Sequence, residues 1–259
     1  MPWTKIIFAG AAVGLVGGLI GLGGAEFRLP LLIGLFGFAA LEAVILNKAT
    51  SLIVVATALP FRSAAIPLEE VFAQWPIIVN LLAGSLLGAW LGAGWAVRMK
   101  SRTLYRVLAA LLVGIAVVLA ISHGTTLSAG ALFTGWAQIM AGLVAGFGIG
   151  IVAALMGVAG GELLIPTLVI LFGVDLKLAG SLSLAISLPT MLVGFARYSL
   201  DDSFSVLARN QGFVILMAVG SVIGVAVGGQ LLDIVPETIL LPVLVAILLV
   251  SSVKVWRHG

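Results

Sequence analysis

Gly21-Leu22-Gly23-Gly24-Ala25-Glu26-Phe27-Arg28-Leu29-Pro30 returns 136 positions later as Gly157-Val158-Ala159-Gly160-Gly161-Glu162-Leu163-Leu164-Ile165-Pro166. Each copy interrupts an apolar run with glycines, sets a glutamate behind them and closes on a proline. The same offset extends outward without a gap. Gly14, Val16, Leu19, Leu32, Leu35, Phe36 and Gly37 fall on Gly150, Val152, Leu155, Leu168, Leu171, Phe172 and Gly173. Farther along it joins Ala43/Ala179, Ala49/Ala185, Ser51/Ser187, Gly84/Gly220, Ser85/Ser221, Gly88/Gly224 and Gly92/Gly228. Self-similarity at a fixed offset marks a duplicated unit. The expected units are residues 1–123 and 138–259, joined by an external linker over 124–137.

The solvent of these units follows from composition. Of 259 residues, 62% are hydrophobic and 9% are Asp, Glu, Lys or Arg, against roughly 25% charged in soluble domains. Apolar stretches long enough to span a bilayer recur along the chain, and in lipid every backbone group must be paired internally, by helices or a closed barrel. Barrel strands would alternate polar with apolar residues, and these runs do not. The expected fold class is an all-α integral membrane protein in the lipid bilayer of an inner membrane. The apolar run after Lys5 leads straight into more membrane-grade sequence, so it reads as a retained first helix rather than a signal peptide.

Each unit contains one span, the Gly-rich break, a short apolar segment and three long ones. These run over about 5–21, 26–37, 43–62, 71–97 and 104–121, and again over about 138–157, 162–173, 178–198, 207–233 and 237–254. A dozen residues of helix reach about 18 Å, short of a hydrocarbon core about 30 Å thick. The short segment should therefore stop near the midplane. Cytoplasmic loops carry the excess of Lys and Arg, which places the Arg98, Lys100, Arg102, Arg106 cluster inside and the connection from His123 to Gly135 outside. Arg197 and Arg209 mark the matching connection of the second unit as internal, Asp233 and Glu237 face outside, and Lys5, Lys254 and Arg257 put both termini in the cytoplasm. Equivalent connections then lie on opposite sides. The units are expected to be two inverted-topology repeats, each a Gly/Pro-broken helical hairpin plus three long transmembrane helices. Two full crossings by the hairpin segments satisfy the same parity.

Inverted repeats with Gly/Pro-interrupted helices point to a transporter whose site lies near the midplane. A new helix should start at each break, with Gly21, Pro30, Gly157 and Pro166 as the breaking residues and the prolines in its first turn. Its free amides, at Gly23, Gly24, Ala25, Gly160 and Gly161, would offer an anion site. Tight helix packing is the competing reading of these glycines, and the one expected for Gly84, Gly88, Gly92 and their repeats. Glu26 and Glu162 occupy one repeat position, where a charge costs roughly 2.5 to 3.5 kcal/mol on insertion scales. They either cap the new helices or couple substrate movement to a proton or cation. Arg28 stands opposite Leu164 and either pairs with Glu26 or attracts an anion. A second polar cluster, Asn47, Lys48, Thr50 and Ser51 with Ser181, Ser183 and Ser187, supplies neutral groups suited to an oxyanion. Interhelical hydrogen bonding explains the same hydroxyls, and snorkelling explains Lys48. Arg62 and Arg197 read as interface anchors, and Gln138 and Asn80 as helix-to-helix ties.

At both breaks the sequence resembles the TauE/SafE family of membrane permeases, also described as sulfite exporters. The Gly-rich turn followed by proline matches Gly21 to Pro30, and Asn47-Lys48-Ala49-Thr50-Ser51-Leu52 resembles the next polar signature. Gly160 to Pro166, with Ala179-Gly180-Ser181 and Arg197-Tyr198, resembles one branch more closely. Ala25 stands where the family often has glycine. The resemblance covers nearly the whole chain and implies export or uptake of sulfur-containing anions such as sulfite, sulfoacetate or other organosulfonates.

Other functions fare less well. No basic stripe with interleaved aromatics suggests nucleic acid. Cysteine is absent, which removes thiolate chemistry and Cys-ligated metals. The two histidines, His123 and His258, fall in a predicted loop and a tail, so an intramembrane enzyme is disfavoured and no cofactor or metal is expected. A passive anion channel of the same fold is the nearer alternative.

Overall fold

In a computed structural model, every regular element among the described residues is a helix; these residues are 2–20, 23–65, 67–124, 132–231 and 237–258. The first unit holds α1 (Trp3–Ile20), α2 (Ala25–Gly34), α3 (Ala40–Ala65), α4 (Leu68–Ala73), α5 (Trp75–Arg98) and α6 (Ser101–Gly124). The second holds α7 (Gly135–Met156), α8 (Gly161–Phe172), α9 (Leu176–Tyr198), a 3-10 turn at Asp202–Phe204, α10 (Ser205–Arg209), α11 (Gln211–Leu231) and α12 (Glu237–Arg257). Six of these, α3, α5, α6, α7, α9 and α11, are long and apolar enough to cross a membrane. The chain is an all-α integral membrane protein. Gly21, Asp233 and half of the expected linker, residues 125–131, lie outside the described residues.

Two expected long segments are divided. The run over 71–97 becomes α4 and α5, because Pro76 has no N–H to continue a helix and sits in the first turn of a new one. The run over 207–233 divides at Asn210, where the backbone leaves helical geometry between α10 and α11. The short segments are as short as expected, at 10 and 12 residues for α2 and α8. At 1.5 Å per residue they reach about 15 and 18 Å.

The two units interlock. α1 packs along α11 and α5 along α7, while α3 meets α9 and α6 meets α12. Since α1 corresponds to α7 and α5 to α11 in the sequence repeat, each tight pair joins one element from each unit. Glycine makes both pairs close. A Cβ at Gly84 or Gly88 would strike the carbonyl oxygens of Leu143 or Phe147 on α7, and one at Gly220 or Gly224 those of Ile7 or Ala11 on α1. The facing helices answer in kind, Gly14 against Ser221 and Gly150 against Ser85. Without a hydrophobic force between helices in lipid, such backbone approach is what holds them together. The packing role expected of Gly84, Gly88, Gly92 and their repeats is the one they have.

Asn80 and Gln138 also act between helices, donating to the carbonyls of Ile139 (3.0 Å) and Leu171 (2.9 Å). Arg197 lies over the ring of Trp90, 5.6 Å from its centroid, a contact suited to an anchor at the membrane edge. The side chain of Arg62 lies outside the described residues.

Candidate functional site

Asn47 on α3 joins the two breaks, and Glu26, Arg28, Lys48, Thr50, Ser51, Glu162, Ser181, Ser183 and Ser187 are all buried. Gly24, with φ 72°, turns the chain left-handed before α2, and Gly160, with φ 82°, does so before α8. An L-residue pays roughly 1 to 2 kcal/mol for that conformation. At Gly24 there is also no room, since a Cβ would strike the carbonyl of Val13, whereas at Gly160 the nearest atoms are 3.3 Å away on Ala153 and Ile149. Before the second break Gly157 ends α7, its amide and that of Val158 reaching back to Ala154 (3.2 Å) and Ala153 (3.1 Å).

Neither new helix has a side-chain cap. Its first bonds run to the glycine carbonyls, from Phe27 and Arg28 to Gly24 (both 3.2 Å) and from Leu163 and Leu164 to Gly160 (3.1 and 2.9 Å). The amides of Ala25, Glu26, Gly161 and Glu162 precede these bonds and have no intrahelical acceptor, whereas that of Gly23, expected to be free, donates to the carbonyl of Gly17 (3.3 Å) because the turn folds it back on α1. The prolines differ from expectation. Pro30 and Pro166 are the sixth residues of α2 and α8 rather than members of the first turn. A proline there withholds the bond to the carbonyl four residues back, so the carbonyls freed are those of Glu26 and Glu162.

Glu26 and Glu162 are buried at 1% and 3% exposure. Their carboxyl groups lie near enough to interact with one another. Among the described residues, both oxygens of Glu26 and Oε2 of Glu162 have no other side-chain hydrogen-bond partner. Both glutamates stand in the first turn of their helices, each within reach of its own backbone N–H, and Arg28 forms no hydrogen bond to Glu26.

Arg28, fully buried, turns to neutral groups. Nη1 donates to Asn47 Oδ1 (3.3 Å) and Ser51 Oγ (3.0 Å), and Nη2 to Ser221 Oγ (3.2 Å), while Nε has no partner. Asn47 is the hub. Its Nδ2 donates to the carbonyl of Ala25 at the first break (3.0 Å) and to that of Met156 at the second (3.1 Å). One amide on α3 therefore ties the two breaks together. Lys48 does not snorkel, being wholly buried with no partner for Nζ, and that ammonium lies beside Gly194, 3.0 Å from where a Cβ would be.

The hydroxyls divide. Thr50 donates to its own helix at Leu46 (2.9 Å) and Ser183 to Gly180 (2.8 Å), leaving lone pairs but no free hydrogen, while Ser51 accepts from Arg28. Ser187 is buried, and Ser181 is buried with an unpartnered Oγ. Three contributors were missed in the sequence. Ser221 completes the Arg28 cage, its repeat-mate Ser85 pairs with Thr190 (2.7 Å), and Tyr198 donates to the carbonyl of Ala154 (2.9 Å) just ahead of the second break. The Ser85/Ser221 repeat was the available signal, because paired hydroxyls inside apolar spans need partners.

Compared with known proteins, residues 6–255 match the family described as Sulfite exporter TauE/SafE. Neither a curated protein nor a solved structure matches the chain.

Proposed function

The chain belongs to the sulfite exporter TauE/SafE family, a family of membrane transporters of sulfur anions, and from that premise we propose how it carries its substrate. A small sulfur-containing oxyanion or organosulfonate, of the sulfite or sulfoacetate type, binds near the midplane where α2 and α8 begin. The free amides of Ala25 and Gly161, directly after Gly24 and Gly160, face it with the positive ends of two helices. Lys48, Ser51 and Ser187 line the polar region around it, Asn47 sets the separation of the breaks, and Thr50 and Ser183, whose hydrogens are spent on their own helices, serve as packing groups behind them. The two halves are inverted-topology repeats in an inner membrane, with both termini cytoplasmic. Rocking of one half against the other exposes the site to either side.

Glu26 and Glu162 are the coupling groups. Two carboxylates in contact repel unless a proton lies between them, and an anion at the neighbouring amides favours that proton. Substrate and proton then move together. The observation that carries the reading is the meeting of both repeats' glutamates in one buried place, beside uncapped helix starts.

The test is flux through purified protein in liposomes against sulfite, sulfonates and carboxylates. Sulfur oxyanions should be carried in preference. Equal passage of all three classes, always down the gradient, would instead describe a passive pore.

A further inference from the structure

We propose that Arg28 is the side chain that grips the oxyanion, and that each chain holds one such anion, on the first-repeat side between α2, α3 and α11. This rests on the transport reading above and adds to it a ligand and a stoichiometry. Arg28 is fully buried, and its three acceptors, Asn47, Ser51 and Ser221, are all neutral. They fix the plane of the guanidinium without cancelling its charge. Both oxygens of Glu26, the nearest carboxyl in sequence, lack a hydrogen-bond donor among the described residues, so Glu26 meets the guanidinium through space alone and leaves its N–H groups free.

A buried cation with no hydrogen-bonded counter-charge is costly, and an arriving anion lowers that cost. The hydrogens that remain are suited to it. Asn47 and Ser51 occupy Nη1 and Ser221 takes one hydrogen of Nη2, which leaves Nε–H and the other hydrogen of Nη2. Two neighbouring N–H groups on a rigid plane match two oxygens of a sulfite or sulfonate, whereas an ammonium acts as a point charge.

The second repeat has no matching grip. Position 164 is a buried leucine, Ser183 is spent on its own helix, and Ser85, the mate of Ser221, is closed on Thr190. The pseudo-symmetric frame therefore carries an asymmetric load.

Titration calorimetry on the full-length protein in detergent tests this with sulfite, methanesulfonate, phosphate and acetate as probes. Wild type should bind one sulfite or methanesulfonate per chain. Arg28→Lys, which keeps the charge and loses the fork, should weaken that binding by about tenfold or more. Ser221→Ala, which loosens the guanidinium without removing it, is the second variant should the lysine fail to fold; a loss of about threefold is expected. Leu164→Met should change nothing. Two anions per chain, or unchanged affinity in both Arg28→Lys and Ser221→Ala, overturns the assignment. Binding of phosphate or acetate alone, lost in Arg28→Lys, would sink the sulfur reading and leave Arg28 as the ligand. Binding of none of the four would sink both.

Discussion

Replacing Asn47 with alanine removes the one side chain that bonds to both breaks, and its cost can be worked from the contacts. The carbonyls of Ala25 and Met156 each lose a donor, and Arg28 loses one of three acceptors. Interhelical hydrogen bonds in membrane proteins average about 0.6 kcal/mol and reach about 1.7. Leaving buried groups unsatisfied raises the cost, by about 1 to 3 kcal/mol for each. Asn47→Ala should therefore destabilise by about 2 to 4 kcal/mol. The repeat-mate is the control. Ser183 bonds only to Gly180 on its own helix, so Ser183→Ala should cost less than about 1 kcal/mol. Reversible unfolding in mixed micelles, followed by the fluorescence of the six tryptophans, reads both. Asn47→Asp should behave like alanine or worse in transport, since it cannot donate to either carbonyl and sets a carboxylate against Arg28. Equal stability losses at positions 47 and 183 would refute the idea that Asn47 links the breaks.

Other outcomes follow from the same geometry. Gly88→Ala and Gly224→Ala, whose added carbons strike backbone oxygens of Phe147 and Ala11, should each destabilise by about 1 to 3 kcal/mol, while Gly148→Ala, with open space around it, should unfold like wild type. Reporter tags at Met1, His123, Arg209 and Gly259 should read in, out, in and in; an external Arg209 would end the inverted-repeat proposal. Glu26→Gln and Glu162→Gln should each flatten the pH dependence of transport, since an amide supplies permanently the hydrogen that a shared proton supplies only when bound. An unaltered profile in the double variant would reduce the pair to structural groups.

Much of this architecture was legible because it is written in local pattern. The duplicated Gly–Glu–Pro stretch marked both breaks, the length of the following apolar run set α2 and α8, and glycines spaced by four announced close packing. What escaped depends on distant partners. Pro30 and Pro166 were expected in a first turn, but each helix begins directly after its glycine, five residues before its proline. The sequence difference between Arg28 and Leu164 was visible, yet nothing local says that Ser221, 193 residues away, completes the cage around that arginine. Asn47 read as a possible ligand, and only the carbonyls of Ala25 and Met156, drawn from both repeats, give it a positioning role. Gly24 and Gly160 looked interchangeable, although the space around them differs, which makes Gly160 the cleaner position to alter.

The central claim is that sulfur anions are carried at the paired breaks under the drive of a coupled proton. Its most direct test is accumulation of labelled sulfite in proteoliposomes against its own gradient, with an imposed pH difference, for wild type and Gly160→Leu. Wild type should accumulate sulfite uphill and lose the excess when the pH difference is collapsed, while Gly160→Leu, inserted and folded, should not accumulate it at all. Uphill accumulation undiminished in Gly160→Leu, or wild-type flux that only equalises sulfite whatever the pH difference, would contradict the account.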